Sequence, residues 1–331
     1  MAVPVLYSFA KRYPMHQLTL LSRENAAPLF SYAPENIHFL GINLNKYSGV
    51  VGLTELYHEL QAMHFDGVAD FHDVLRTKYL RLAFHAGGVP TASIDKGRSD
   101  RRALTRKHDK KAEQLTDSFE RYALVLAELG YPFEIHFQSI FSTQRPALPA
   151  EITKVTGLRE GNWVGIAPFA QHEGKIYPLD LMEQVIALLD SRRDMHIFLF
   201  GAGEKEKEWC LKCQNKFSNV LSLVGSFHLE KELLLMSHLD AMVSMDSANM
   251  HLASLVNTPV VSLWGATHPY AGFAGLQPKG SIILQKSLDC RPCSIFGTKP
   301  CFKSNYECLR AITPQEVVDA ILRVFNQNVK E

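Results

Sequence analysis

The sequence lacks a long hydrophobic run, an excess of charge of either sign and a glycine-rich dinucleotide motif. No apolar run reaches the roughly 18 residues that a membrane-spanning helix needs. Lys and Arg number 35 against 34 Asp and Glu, so the net charge is +1 over 331 residues and no bulk basic surface for nucleic acid is indicated. No G-x-G-x-x-G is found, which argues against a dinucleotide-dependent enzyme such as a nucleotide-sugar epimerase.

Cysteine is also scarce. Six cysteines in a chain of this length exclude a disulfide scaffold. Four of them follow one another near the C-terminus: Cys290, Cys293, Cys301 and Cys308. They are interpreted either as an S4 zinc site or as free, redox-labile loop thiols, and their irregular spacing favours free thiols. Cys210 and Cys213 lie three residues apart on a predicted helix and are interpreted as packing residues.

Short apolar runs alternate with amphipathic stretches along the whole chain. The hydrophobic fraction of 46% fits a globular protein, and the length suffices for two domains. Strand and helix patterns alternate most clearly after residue 160, which predicts an α/β fold with parallel strands and helices on both faces. Residues 138–152 lack periodicity and contain two prolines, so we place a linker there, between domains 1–140 and 153–331.

The chain opens on a helix pattern rather than on a strand. Pro4 lies in the first turn of an apolar helical face, and Tyr13-Pro14 ends it. The stretch HQLTLLS then reads as a buried strand. A doubly wound domain normally places a strand before its first helix, so we expect the N-terminal sheet to lack its first strand. That loss would expose strand edges and weaken the domain.

The strongest local signal lies in residues 243–269. A strand delivers Asp246 and Ser247 to its C-terminal end, and a helix begins at once, with Asn249 and His251 in its first turn. The unpaired backbone N–H groups and the dipole of a helix N-terminus suit a phosphate. The alternative is that Asp246 or Ser247 only caps the helix and that His251 belongs to the core.

Two further strand ends carry polar loops. APFAQHEGKIYP contains Gln171 and Lys175, and a lysine placed there would neutralise a diphosphate; the alternative is an ordinary surface lysine. In FLFGAGEKE, Gly203 permits a tight turn into the next helix, and Glu204 would accept hydrogen bonds from ribose hydroxyls.

These three stretches, together with CRPCSIFGTKPCFKSNYECLRAITPQEVVDAI, resemble glycosyltransferase family 9, the lipopolysaccharide heptosyltransferases. The resemblance implies a GT-B fold, with two Rossmann-like domains facing a central cleft. It also implies inverting transfer of a heptose or related sugar from a nucleotide-sugar donor, ADP-heptose in the best-known members, with no required metal cofactor. Carried over by position, the implied donor contacts are Gln171, Lys175, Gly203, Glu204, Phe227 (near the base), Asp246, Ser247, Asn249 and His251.

The sequence departs from the family pattern at two places. Ala248 stands where the family usually has a glycine before the helix. The presumed catalytic base of the family is an aspartate in a Gly-Asp loop after the first strand, and this chain offers no match, so its catalytic residue is unknown. The chain is therefore interpreted as an active or impaired transferase, or as an inactive nucleotide-binding scaffold of the same fold.

An acceptor region is predicted in the N-terminal half. Asp70, His72 and Asp73 follow a predicted strand, and the basic segment 95–111 includes Arg98 and Arg102. These residues are candidates for contacting the lipid-linked oligosaccharide acceptor that the resemblance implies; the alternative is a helix cap and a solvated basic surface. We expect a cytoplasmic location with contact to the inner membrane.

Overall fold

The computed structural model describes residues 1–142 and 144–328. The chain forms two units. Unit 1 comprises Met1–Arg98 and Thr116–Ile140, and unit 2 comprises Ser99–Leu115 and the chain from Phe141 onward. The basic stretch 99–115 thus lies with unit 2, although the sequence assigned it to the first domain. Lys110 Nζ donates to the carbonyl of Asp289 at 3.0 Å, a contact that no local pattern indicates.

Unit 1 begins on a helix, as predicted. The residues Val3 to Ala10 of the first helix, α1 (Ala2–Arg12), are all buried, and all but Ser8 are apolar; this helix packs on α5 (Ser118–Glu128). In chain order the elements up to residue 128 are α1 (Ala2–Arg12), β1 (Leu18–Arg23), β2 (Ile37–Ile42), α2 (Gly49–Gln61), β3 (Val68–Asp70), α3 (Leu75–Ala86), β4 (Thr91–Ser93), α4 (Arg98–Leu104) and α5 (Ser118–Glu128).

The strands of unit 1 form two separate parallel pairs, β1 with β2 and β3 with β4. Within the described part of the chain, no ladder joins one pair to the other. Two small cores support them. One lies between α2 and α3 and contains Leu56 and Phe84, and the other joins Val5 and Phe9 of α1 to Leu126 of α5.

Unit 2 contains the larger sheet. Its strands are runs of buried residues bounded by polar loops, as expected for strands covered on both faces. Beyond residue 149 the elements are α6 (Ala150–Thr156), β5 (Asn162–Ala167), α7 (Leu179–Asp190), β6 (Met195–Leu199), α8 (Glu204–Lys216), β7 (Val220–Ser222), α9 (Leu229–Met236), β8 (Ala241–Met245), α10 (Ala248–Leu255), β9 (Val260–Trp264), β10 (Ile282–Gln285), α11 (Glu307–Arg310) and α12 (Pro314–Asn328).

The six strands of unit 2 are parallel and follow the order β10-β9-β8-β5-β6-β7. The first strand of this sheet along the chain is β5. β6 and β7 are added on one side of it, and β8 then pairs with its other side. The boundary between β5 and β8 is therefore the point where the direction of winding reverses. In open parallel sheets, ligands bind at this point, outside the carboxyl ends of the strands.

The stretch 138–152 is not an exposed linker over its whole length. Ile140 and Ile152 are fully buried, and α6 begins at Ala150. Ile140 is packed in unit 1 and Ile152 in unit 2, although the sequence pattern assigned neither residue to a helix or a strand. In the part of the chain that the structure describes, no helix is both long enough and apolar enough to cross a membrane.

Candidate functional site

The predicted polar loops meet at one edge of the unit 2 sheet. Because β9, β8, β5 and β6 are neighbouring parallel strands, the loops that follow them lie side by side at the carboxyl edge. The loop after β5 contains Lys175, and the turn after β8 contains Asp246. These two strands flank the reversal point, so the geometry places both loops where an open α/β sheet binds its ligand.

Lys175 and Asp246 form an ion pair at this edge. The Nζ–Oδ2 distance is 2.9 Å, and the two side chains are 16% and 5% exposed. A charge buried this deeply is stable only when it is paired. The pair therefore holds the ammonium of Lys175 in place above the strand ends, where an entering anion would compete with Asp246 for it.

Glycine at position 174 sets the path of the Lys175 loop. Its carbonyl accepts the N–H of Ala266, in the loop after β9, at 2.9 Å. A Cβ at Gly174 would stand 2.9 Å from Cβ of Ala266 and 3.2 Å from the carbonyl oxygen of Gly297. Only glycine allows the three loops to pack this closely, and their contact fixes the position from which Lys175 reaches Asp246.

The N-terminus of α10 opens toward the same edge without a side-chain cap. Ser247 is the N-cap residue, but its side chain makes no capping hydrogen bond; its Oγ lies 3.1 Å from Oγ of Ser244 instead. The first-turn N–H groups, which have no partner within the helix, are therefore available to an anion. Ala248 is exposed and is not among the residues of positive φ, so the turn does not require the family's usual glycine.

His251 is neutral in this setting. Burial, together with the nearby charge of Lys175, holds the pKa of His251 well below its ordinary value. A neutral imidazole donates or accepts a hydrogen bond but adds no positive charge for a phosphate. Its ring also packs closely on Gly275, where a Cβ would stand 2.6 Å from Nδ1. Asn249, in the same first turn, is partly exposed.

The loop after β6 differs in detail from the prediction. Gly203 does have a positive φ of 79°, as the tight turn needs. Glu204 is exposed at the start of α8, whereas Glu206 turns back and its Oε2 accepts the N–H of Ala202 at 2.7 Å. The carboxylate that shapes this loop is therefore that of Glu206, whereas the sequence pattern pointed to Glu204.

The remaining predicted donor residues lie at the same edge but more openly. Gln171 is exposed in the loop after β5, and Phe227 is partly buried in the segment that follows β7. The structure thus brings Lys175, Asp246 and the start of α10 together, and leaves Gln171, Glu204 and Phe227 as outer positions. Thr267 lies in the loop after β9. It is fully buried, and its Oγ1 has no hydrogen-bond partner among the described residues.

In unit 1, the predicted acceptor residues form a charged cluster. Asp70 is buried, and its Oδ1 accepts the N–H groups of His72 and Asp73 at 2.9 and 2.8 Å. Asp70 is therefore a turn-forming residue as well as a charge. Asp73 has a positive φ of 43°, and its carboxylate lies 3.4–3.5 Å from the side-chain nitrogens of Lys78, Arg81 and Arg98.

This cluster carries more positive than negative charge. Lys96 adds a fourth cation, donating to the carbonyl of Asp73 at 2.9 Å. Four cations against the two carboxylates leave an excess of positive charge at the end of β3. His72 is exposed beside the cluster. Arg102 is exposed on α4 and belongs to unit 2, so it is not part of this group.

The cysteines fall into the two classes that the sequence suggested. Cys210 and Cys213 are buried in the core of unit 2, which confirms that they are packing residues. The other four line one small pocket, and all six are free thiols. Among the described residues, no three His, Cys, Asp or Glu side chains already stand in a metal-ligating arrangement.

Comparisons with known proteins point to one family. The family model for glycosyltransferase family 9 (heptosyltransferase) matches residues 53–299. Lipopolysaccharide heptosyltransferase 3 of Escherichia coli is 24% identical over 284 residues, which cover 81% of this chain and 80% of that protein.

Solved structures share the fold. E. coli ADP-heptose lipopolysaccharide heptosyltransferase II has a TM-score of 0.71 at 19% identity, with 99% of this chain and 95% of that chain covered. A family 9 glycosyltransferase from Veillonella parvula has a TM-score of 0.73 at 19% identity, with coverage of 98% and 93%. E. coli heptosyltransferase WaaC, solved with ADP, has a TM-score of 0.68 at 16% identity, with coverage of 98% and 95%. These similarities confirm the α/β fold of the GT-B class.

Proposed function

Because the chain belongs to glycosyltransferase family 9, the heptosyltransferases, we propose that it transfers a heptose or a related sugar from ADP-heptose to a lipopolysaccharide core acceptor. The observation that carries this proposal is the Lys175–Asp246 pair beside the uncapped start of α10. A cation and a set of free N–H groups converge at the point of the sheet where a diphosphate would bind.

The leaving group explains why this geometry suits glycosyl transfer. When the bond from the sugar to the diphosphate breaks, negative charge grows on the diphosphate oxygens. Lys175 and the first-turn N–H groups of α10 are already fixed by packing, so they stabilise that charge without further reorganisation. Asp246 keeps the ammonium oriented in the free protein and releases it to the stronger anion.

The choice of adenine nucleotide rests on relatives rather than on a described contact. E. coli WaaC was solved with ADP and with ADP-2-deoxy-2-fluoro heptose. We assign the nucleoside to the loop after β6, with Glu204 and Phe227, because the family resemblance implies these contacts. Inversion at the sugar requires a base that deprotonates the acceptor hydroxyl. We assign that role to no residue. The carboxylate of Asp73 is already paired with the cations around it.

The proposal is tested by ligand protection and by transfer. ADP and ADP-heptose at about 100 times Kd are expected to stabilise the protein by about 2.7 kcal/mol, which raises Tm by several degrees. UDP at the same concentration should give less. Mass spectrometry of a core oligosaccharide acceptor should then show the added heptose. Protection without any transfer would favour the scaffold alternative, and neither protection nor transfer would refute the donor proposal.

The cation cluster of unit 1 is proposed to bind anionic groups of the acceptor. Phosphates or carboxylates on a lipid-linked core would meet the excess positive charge of Lys78, Arg81, Lys96 and Arg98. Such an acceptor would place the working enzyme at the membrane surface. The proposal requires that the cluster binds the acceptor and not the donor. A point substitution can distinguish these two roles.

Arg98→Ala should raise the KM for acceptor several-fold to tenfold and leave the Kd for ADP unchanged. Its side chain is 68% exposed, so its removal costs little stability but takes away one cation of the site. Arg76→Ala is the matched control, because Arg76 is an exposed cation on α3 outside the cluster. Equal acceptor KM values for the two variants would remove the cluster from the acceptor site.

A further inference from the structure

Three large apolar side chains are exposed at the starts of two helices of unit 1. Val50 and Val51 lie in the first turn of α2 and are 67% and 84% exposed. Leu75 is the first residue of α3 and is 88% exposed. Single exposed apolar residues are common on globular proteins, whereas a contiguous group of them marks an interaction surface. Whether the three residues are neighbours therefore decides their meaning.

A contact between α2 and α3 places the two helix starts side by side. The Oγ1 of Thr54 lies 2.6 Å from the hydroxyl oxygen of Tyr79. Thr54 follows Val50 by one helical turn, and Tyr79 follows Leu75 by one turn, so residues four positions apart lie on the same face of each helix. Both helices also follow directly on strands of unit 1. The first turns are therefore neighbours, and we call their three exposed apolar residues the apolar tip.

Local packing fixes the apolar tip in its exposed position. The loop before α2 packs on Gly52, where a Cβ would stand 2.6 Å from the carbonyl carbon of Tyr47, and Tyr47 itself is buried. That loop therefore covers Gly52 and leaves the two valines uncovered. At the start of α3, the Oγ1 of Thr77 accepts the N–H of Val74 at 3.0 Å and donates to its carbonyl at 3.1 Å. Both helix ends are thus ordered, and the apolar side chains extend from fixed backbone.

The cation cluster of unit 1 borders the apolar tip. Lys78 lies three residues after Leu75 on α3, and Arg98 is paired with the same carboxylate as Lys78. The side chains of Lys78 and Arg98 are 42% and 68% exposed, so both reach solvent beside the tip. The first turns of α2 and α3, every residue of which the structure describes, contain no Asp or Glu. A partner that fits this end of unit 1 is therefore apolar and negatively charged.

We propose that the apolar tip docks unit 1 on the surface of a bilayer that contains anionic phospholipids. Val50, Val51 and Leu75 enter the boundary between headgroups and acyl chains, and the neighbouring cations contact the lipid phosphates. A second copy of this chain fits less well, because its own positive border would repel this one. A protein partner also fits less well, because a stable protein–protein interface buries about 800 Å² on each side, far more than three side chains offer.

The purpose of this docking rests on the proposed function. A lipid-linked acceptor lies in the bilayer, and a protein that docks through the apolar tip brings the adjacent cation cluster to the membrane surface. The docking itself needs neither donor nor acceptor, so it is measured separately. Transfer to an acceptor glycolipid held in vesicles should depend on the tip, whereas transfer to an acyl-free core oligosaccharide in solution should not.

The experiment measures sedimentation of the full chain with vesicles. Mixed phosphatidylglycerol and phosphatidylcholine vesicles should bind the protein, added salt should weaken this binding, and phosphatidylcholine alone should bind far less. Val50→Ser/Val51→Ser/Leu75→Ser should raise the vesicle Kd by about tenfold to 100-fold, and Arg98→Ala by about fivefold. Met15→Ser is the matched control and should bind as wild type does. Met15 is 88% exposed but precedes β1, at the opposite end of the β1–β2 pair.

A second readout is a gain of signal. In Leu75→Trp, anionic vesicles should shift the added fluorescence to shorter wavelength, and in Met15→Trp they should not.

Four results would overturn the docking proposal. They are wild-type protein that does not bind anionic vesicles at low salt, equal binding to phosphatidylcholine alone, wild-type vesicle affinity in the triple serine variant, and an equal loss of transfer to the soluble acceptor in that variant. A dimer that the triple variant dissociates would assign the tip to a second copy instead. Vesicle binding through the tip without any sugar transfer would leave docking in place and refute only the proposed function.

Discussion

Lys175→Ala is expected to lower kcat/KM for sugar transfer by about 10²–10³-fold, the typical loss when one fixed electrostatic contact to a developing anion is removed. The Nζ of Lys175 is held 2.9 Å from Asp246 at the β5/β8 boundary. No other lysine or arginine is paired with Asp246 in the part of the chain that the structure describes. The loss should appear in the Kd for ADP as well as in the rate.

Lys175→Ala is also expected to lower the stability of the folded protein. This effect must be separated from its effect on ADP binding. It leaves the buried carboxylate of Asp246 without its cation. Breaking a fully buried pair in this way costs about 3–5 kcal/mol, and somewhat less is expected here because Lys175 retains some solvent contact. Lys175→Met/Asp246→Asn removes both charges and should recover most of the lost Tm, but it should not recover ADP binding.

Lys212→Ala provides the control for a lysine that carries no such role. Lys212 is on α8, and its exposed i,i+4 pair with Glu208 is worth little. Transfer rate and Tm should therefore stay near wild type. A folded Lys175→Ala protein that binds ADP as tightly as Lys212→Ala would contradict the assignment of Lys175 to the diphosphate.

Ala248→Glu should weaken ADP binding by about tenfold to 10²-fold and slightly stabilise the free protein. Ala248 is the exposed first residue of α10. A carboxylate there would lie near the diphosphate, and one pair of like charges at ~5 Å costs about 3 kcal/mol at an effective dielectric constant of ~20. The same carboxylate is favourable at a helix N-terminus by about 0.3–1 kcal/mol when no anion is bound.

Ala248→Glu is expected to weaken ADP binding without lowering Tm, whereas misfolding would lower both Tm and the affinity for ADP. Tm of the free protein should rise or stay constant while the Kd for ADP increases, and added salt should reduce the difference in Kd. Ala248→Gln keeps the shape without the charge and should bind ADP nearly as well as wild type. Unchanged ADP affinity in Ala248→Glu would place the nucleotide away from α10.

The unit 2 edge could be predicted from sequence because its signals are local. Each buried strand there leads into a loop that contains polar residues, and parallel order alone brings the ends of β5 and β8 together. Asp246 and Lys175 could thus be placed on one edge from residues that lie 71 positions apart. Their ion pair still required coordinates, because a pattern shows which edge a loop occupies but not the direction of a side chain.

Other features depended on contacts that no periodicity reveals. Arg291 lies in an irregular Cys- and Pro-containing loop, and its burial follows from carbonyls more than twenty residues away. Glu206 was passed over in favour of Glu204, because the turn that Gly203 makes decides which carboxylate faces back. The strands of unit 1 pair as β1 with β2 and β3 with β4, and these partners follow from topology, which the alternating pattern alone leaves open.

Unit 2 includes the segment Ser99–Leu115, which lies between the two parts of unit 1 in the sequence. This order has a consequence for synthesis on the ribosome. The segment 99–115 emerges early, yet its contact from Lys110 to Asp289 spans 179 positions. At roughly 5–20 residues per second, this basic stretch remains without its partner for about ten to thirty-five seconds. Throughout that interval the nascent chain displays Arg102, Arg106 and Lys107 as an exposed cationic segment between the two parts of unit 1, Met1–Arg98 and Thr116–Ile140.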